Sequence, residues 1–292
     1  MKRGGPTVEQ VIAALDAVGL EPEVWLTEGP GDATRLAREA VAKGYDTVIA
    51  AGGDGTIHEV AQGLVGTEAT LGVMPLGSVM NIARTLGIAR DLAEAAQVIR
   101  SGRLLRMDVG EVNGEYFLEF AGVGIDAAIG PLAQQLDCGQ WDSLRELLRA
   151  LWTYRPERMT LTIDGVSETV RAASIVVANT PYYGPAVELT PEAKVDDRQF
   201  DVKVFDRFSL RELLLFGIQI ARGARPYHPK IRHLRGRTVV VSASRPLAAH
   251  ADFEPAGTTP VTFRLVPRAL KVWANPALWE SAEPTAVSAT AG

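Results

Sequence analysis

The sequence predicts two domains of different class: an α/β N-terminal domain with a doubly wound, mostly parallel sheet, then a mostly antiparallel, β-sandwich-like C-terminal domain. Three observations predict this. Helical and strand patterns alternate through the first third of the chain. Two apolar runs in that third break into glycine-containing turns that open helices. Beyond about residue 102 most segments alternate polar with apolar residues, and turn pairs such as Asn113-Gly114 and Asp164-Gly165 separate several of them. A chain of 292 residues is long enough for two cores.

Apolar residues at Val8, Val11, Ile12, Leu15 and Val18 predict a helix over 7–18, closed by Gly19. A short strand is expected over 23–26, a helix over 32–43 ended by Gly44, and a buried strand over 47–50. That strand runs into Gly52-Gly53-Asp54-Gly55-Thr56 and continues as a helix through Ile57 and His58. A strand over 71–74 leads into Pro75-Leu76-Gly77-Ser78 and a helical run over 81–86. If the two strands are neighbours, both turns lie side by side and their amides converge on one anion. In the second half, strands are expected over 104–112, 115–120, 158–163, 169–179, 200–205, 238–243 and 261–266, with helices over 143–154 and 209–222. The expected domains are 1–103 and 104–275, followed by a disordered Ala/Ser/Thr/Pro-rich tail over 276–292.

The composition, 47% hydrophobic and 22% charged, is that of a soluble globular protein. The formal net charge of -5 argues against general nucleic-acid binding. The single cysteine, Cys138, excludes an internal disulfide and fits a reducing cytoplasm. No apolar run approaches the roughly 20 residues a membrane-spanning helix needs, and residues 1–10 lack the apolar core of a signal peptide, so a cytoplasmic protein is expected. His58, His228, His233 and His250 show no metal-ligand spacing, and no Ser/His/Asp arrangement stands out.

Glycines at 52, 53 and 55 leave backbone N–H groups open to close approach by phosphate. The Asp54 carboxylate would repel bare phosphate, and makes sense with a cation such as Mg2+ between the two. The plain alternative is a tight strand-to-helix turn that happens to carry an acid.

Taken with the later motifs, these residues resemble the diacylglycerol kinase catalytic-domain family, in particular the bacterial lipid kinases related to sphingosine kinases, over nearly the whole chain. The motifs are Gly52 to Thr56 with Glu59, Pro75 to Ser78, Asp108 in RMDVG, Gly122 to Ala127, Tyr182 to Gly184, Asp196-Asp197, and the late acidic turn Asp252-Phe253-Glu254. The resemblance implies an ATP-dependent lipid kinase using Mg2+, with Thr27, Gly52, Gly53, Asp54, Gly55, Thr56, Ile57, His58, Gly77 and Ser78 around the nucleotide. It implies that Asp54 and Asp108 hold the water shell of the catalytic Mg2+, and that a second, structural metal sits on Lys194, Asp197 and Gln199. Glu254, with Asp252 beside it, is the implied general base toward the lipid hydroxyl. Surface turn acids remain the alternative for Asp252 and Glu254, and a plain turn for Asp196 and Asp197. NAD kinases share GGDGT, so a soluble substrate is the alternative activity, and a catalytically impaired nucleotide-binding homologue is a third reading.

Four departures from the family pattern are visible. The chain begins past the usual first strand and its Asn-Pro-x-Ser-Gly turn, so either the start lies upstream or the sheet lacks a strand. Met80 and Asn81 stand where an Asn and an acid are usual. The DDG loop reads Asp196-Asp197-Arg198, and Phe253 replaces a glycine that would allow an unusual φ.

A lipid kinase must meet a bilayer. The stretch Arg222 to Arg237 holds six Lys/Arg, two His and no acid, and follows a helix carrying Leu210, Leu213, Leu214, Phe216, Ile218 and Ile220. A peripheral surface at the inner face of the membrane is expected there; the alternative is a core-packed helix followed by a solvated basic loop. The identity of the lipid and the formation of a homodimer are left open.

Overall fold

A computed structural model describes residues 5–127, 144–146, 149, 153, 155–184, 187–222 and 227–279. The helix expected over 143–154 falls largely outside them. The chain divides into two compact units, one drawn from Met1–Leu64, Glu68–Leu105 and Lys271–Gly292, the other from Val65–Thr67 and Arg106–Leu270.

In the first unit, α1 (Val8–Asp16) starts at a capping box: Thr7 N–H donates to Gln10 Oε1 at 2.8 Å while the Thr7 hydroxyl accepts from Gln10 N–H. Gly19, at φ +76°, closes it as Leu20 N–H reaches back to Leu15 O. α2 (Asp32–Ala42) precedes β1 (Thr47–Gly52), and α3 (Asp54–Leu64) follows it directly. β1 pairs in parallel with β2 (Thr70–Pro75), Thr47 opposite Thr70 and Gly52 opposite Pro75. Every residue of β2 is buried, as expected for a parallel strand covered on both faces. α4 (Asn81–Thr85) and α5 (Leu92–Ser101) follow, α5 capped by the Asp91 carboxylate and packed on β2. No element expected from the sequence covers α5.

The strand expected over 23–26 is absent. The segment makes no ladder, and Val24 and Leu26 are 44% and 70% exposed. A strand requires a neighbour for its N–H and C=O groups. Here the side chains hold the segment instead: Trp25 Nε1–H donates to Glu23, the Tyr45 hydroxyl bonds the same carboxylate, and Lys43 Nζ lies 4.4 Å over the Trp25 ring.

β3 (Arg103–Val112) carries the chain into the second unit, where β4 (Glu115–Phe117), β5 (Phe120–Gly124), β6 (Glu157–Ile163) and β7 (Val166–Ala178) follow. After the small hairpin of β8 (Tyr182–Tyr183) and β9 (Val187–Glu188) come β10 (Phe200–Asp206), α6 (Leu210–Ala221), β11 (Ile231–Gly236), β12 (Thr238–Ala243), β13 (Ala248–Ala251), β14 (Glu254–Thr258) and β15 (Val261–Ala274). In this unit β12 pairs antiparallel with β6, β6 with β7, β7 with both β5 and β10, β10 with β11, β5 with β13, and β13 with β14. Phe117, Phe200 and Phe263 fill its core, with Phe117 stacked on Phe200 at 5.5 Å. β15 is much longer than expected: its start pairs antiparallel with β12, and its end returns to the first unit, where Lys271 and Val272 lie parallel to β2.

Three further expectations are corrected. The strand predicted over 115–120 breaks between β4 and β5, because the Asp252 carboxylate takes the N–H groups of Leu118, Glu119 and Phe120 away from a ladder. The basic stretch is not a solvated loop at its C-terminal end, since 231–236 is β11 with Lys203 opposite His233. Residues 276–279, placed in the tail, form α7 (Pro276–Trp279), and Leu278 fills the space that a Cβ at Gly87 would need.

Gly110 stands where a Cβ would fall 2.0 Å from the Phe117 ring. Gly110→Ala should therefore lower unfolding stability by about 1–3 kcal/mol, read from the shift of the urea midpoint.

Candidate functional site

The sequence-predicted residues fall into two groups, one in each unit. In the first, β1 ends at Gly52 and α3 opens at Asp54, while Leu76 N–H donates to Gly52 O at 2.9 Å, tying the turn after β2 to the end of β1. Backbone meets backbone there: a Cβ on Gly77 would stand 2.7 Å from Gly53 Cα and 2.7 Å from Met80 Sδ. A Cβ on Gly52 would fall 2.5 Å from Thr56 Oγ1. At Gly55 nothing lies within 4 Å of the Cβ position. The glycines thus divide the work: Gly52 and Gly77 permit the close packing of the turns, whereas Gly55 leaves the first turn of α3 open to solvent. An open helix start with its dipole suits an anion.

Asp54 sits on that same turn, and its Oδ2 accepts the Met80 N–H at 2.7 Å. Met80 is buried in the left-handed region at φ +61° and caps α4. Asn81, in the place of the usual acid, is fully buried, with its Oδ1 3.5 Å from Arg84. The second turn is also held by a residue outside the sequence motifs: Arg90 donates to the carbonyls of Gly77, Ser78 and Val79. Nothing in a lone arginine twelve positions downstream of Ser78 marks it in the sequence. His58 bonds Gln62 along α3 at 3.0 Å, and Glu59 accepts the Ala33 N–H at the start of α2. Thr27 lies on the exposed segment before α2, where the Glu28 and Gly29 amides donate to Asp32.

In the second unit, Asp252 and Phe253 form the two-residue turn between β13 and β14, with φ +45° and +68°. The hairpins at Asn113-Gly114 and Asp164-Gly165 have the same pattern of paired positive φ and carry glycine second. Phe253 takes this conformation without that freedom; its ring packs edge-on to Phe120 at 4.8 Å and beside Tyr183 and His250. The Asp252 carboxylate accepts three main-chain N–H groups at 2.7–3.1 Å, which fixes it as an anchor of the turn and not as a mobile base. Glu254, two positions after Asp252, is exposed. Beneath the turn lies a grouping the sequence does not show: Asp126 joins the Ser174 hydroxyl at 2.5 Å and His250 Nε2 at 3.0 Å, all three buried. Separations of 48 and 124 residues hide it from any local pattern.

Asp108 is wholly buried. Its Oδ2 accepts from Arg198 N–H at 2.6 Å and its Oδ1 from Arg268 N–H at 2.7 Å. Burial pushes its carboxyl above the ordinary range, against the downward pull of those two amides. A carboxylate enclosed in this way holds backbone, and both of its oxygens are taken by main-chain amides. The second metal does not fit. Asp197 Oδ2 is ion-paired to Arg235 and its Oδ1 accepts the Gln199 N–H, so an arginine already supplies the positive charge on the loop of Lys194 and Gln199. Among the described residues no set of three His, Cys, Asp or Glu side chains stands together at metal-binding geometry.

The fold class is an α/β unit with glycine turns at the ends of parallel strands, together with an antiparallel β-sandwich-like unit. Residues 2–112 match the diacylglycerol kinase catalytic domain, and residues 120–274 match the YegS C-terminal NAD kinase beta sandwich-like domain. The chain belongs to the diacylglycerol kinase family. A diacylglycerol kinase from Bacillus subtilis (strain 168) is 31% identical over 260 residues, covering 87% of this chain and 86% of that protein. One from Staphylococcus saprophyticus is 27% identical over 273 residues, covering 88% and 86%. A crystal structure from Bacillus anthracis str. Sterne, provisionally assigned as a diacylglycerol kinase, superposes with a TM-score of 0.77 at 25% identity over 92% of each chain.

Asp108→Asn should cost about 1–3 kcal/mol, because the amide cannot accept both N–H groups. The native carboxyl, with its raised pKa, takes up a proton at higher pH than the unfolded chain does. The wild type should therefore gain stability relative to the variant as pH falls through that raised value, measured by urea unfolding at successive pH values.

Proposed function

We propose that the protein is an ATP-dependent lipid kinase that passes the γ-phosphate to a lipid hydroxyl. The observation that carries this reading is the apposition of Gly53 and Gly77 at the carboxyl ends of β1 and β2, with the open first turn of α3 and the Asp54 carboxylate on it. The naming of relatives as diacylglycerol kinases supports the lipid as acceptor.

In this reading the α3 amides and the Ser78 turn bind the phosphates, and Arg90 keeps that turn in shape. Asp54 would hold a magnesium ion brought in with the nucleotide, and the ion would supply positive charge against the polyphosphate. Phosphoryl transfer asks for positioning and one proton acceptor more than for covalent chemistry. The lipid hydroxyl oxygen bonds to the γ-phosphorus, its proton passes to Glu254, and ADP leaves. Asp252 contributes by fixing the turn on which Glu254 stands. The second reading, a nucleotide-binding homologue without turnover, is favoured by the fully engaged carboxylates of Asp108 and Asp252.

Among the described residues no helix is long and apolar enough to cross a membrane. For the lipid surface, the paired state of the basic stretch matters: Lys230 bonds Glu212, Arg232 bonds Asp206 and Glu168, and Arg235 bonds Asp197. On α6, Phe216 is buried against Phe205, Phe208 and His228, while Leu214, Leu215 and Ile218 are 49%, 60% and 47% exposed. Those three apolar side chains, with Arg222 beyond them, form the surface that meets the bilayer in this proposal.

With labelled ATP, Mg2+ and a lipid extract, the wild type should yield labelled lipid; binding without product would establish the second reading. Glu254→Gln should lower turnover at least about 100-fold while nucleotide affinity stays near wild type, and Asp54→Ala should abolish turnover and weaken magnesium-dependent nucleotide binding. Leu215→Asp/Ile218→Asp should reduce co-sedimentation with anionic vesicles without lowering the melting temperature; unchanged sedimentation would remove α6 from the membrane contact.

A further inference from the structure

Arg198, Arg237 and Arg268 line a cleft of about 200 Å³ in the second unit, walled on its apolar side by Leu265 and Pro267. All three arginines are exposed, and no ion pair joins their guanidinium groups to a carboxylate among the described residues. Three of the nearby acids already hold other groups. Asp197 holds Arg235, Asp164 accepts the Arg237 and Thr238 amides, and Asp108 lies buried under the amides of Arg198 and Arg268.

Arg198 and Arg268 sit at φ +62° and +54°, a region that disfavours any residue with a Cβ and that glycine enters freely. A single buried carboxylate holds both of them there, one amide on each oxygen. Arg237 is tied to the same turn by Nε–H donating to Arg198 O at 3.2 Å. Backbone strain kept at two positions, both arginine and both opening on one cleft, is what a ligand site leaves behind when side chains matter more than backbone ease.

We infer that this cleft is a phosphate-binding site. Planar guanidinium groups recognise the oxygens of a phosphate through paired, charge-assisted hydrogen bonds, and the apolar wall of Leu265 and Pro267 suits the organic part of a phosphate ester. The ligand is a phosphate group presented as a phospholipid headgroup or as a free anion. The inference stands apart from the lipid kinase reading, because it concerns binding alone.

The test uses the full chain saturated with a non-hydrolysable ATP analogue, so that the first unit is occupied. One calorimetric arm titrates inorganic phosphate; the other titrates vesicles containing phosphatidic acid in phosphatidylcholine, with pure phosphatidylcholine as the blank. Arg198→Gly/Arg268→Gly keeps the amides that Asp108 accepts and suits the positive φ, so it removes only the guanidinium groups. Arg198→Gln/Arg268→Gln checks the same loss without glycine. Arg100→Gln/Arg158→Gln removes equal charge elsewhere. Binding in either arm that falls at least about tenfold in both cleft variants, and not in the charge control, is the expected result, and the arm that responds names the source of the phosphate. No binding in either arm, equal affinity in wild type and cleft variants, or an equal loss in the charge control overturns the inference.

Discussion

Parallel pairing of β1 with β2, in the register that sets Gly52 opposite Pro75, is the constraint on which the rest of the first unit depends. Because both strands end at the same level, the chain must turn twice within one small volume, and two Cα atoms without side chains are what allow it. The hydrogen bond from Leu76 to Gly52 then fixes the relative height of the two turns, and Asp54 secures the start of α4 through Met80. A slip of one residue in this pairing would bring a Cβ into the contact and exchange the faces of β2.

Carboxylates do much of the structural work. Asp91 caps α5, Glu59 reaches the start of α2, Asp252 gathers three amides, and Asp108 gathers two from distant turns. Loops and turns leave N–H groups without ladder partners, and a buried acid can satisfy several at once. The family resemblance assigns some of these acids to metals, but their oxygens serve the main chain, and at Asp197 the counter-charge comes from Arg235.

Much of this was legible because it is local. The glycine turns, the caps and the Asn-Gly and Asp-Gly hairpins announce themselves within a few residues, and the unusual φ expected at 253 is present at +68°. What depends on a partner was not legible. Alternation at 23–26 cannot reveal that no strand lies beside it. The charges at 230–237 mask the β11 pattern until the facing acids of β10 and β7 are known. The grouping of Ser174, Asp126 and His250, and the convergence of Arg198 with Arg268, arise from sheet pairing across long stretches of chain.

The return of β15 to the first unit makes that unit discontinuous along the chain. During synthesis, β2 must wait with one edge bare until Lys271 and Val272 have left the ribosome, so the first unit closes only after the second has been made. Proteolytic clipping between the units would likewise fail to release an intact N-terminal fragment, since its third strand would remain attached to the other piece.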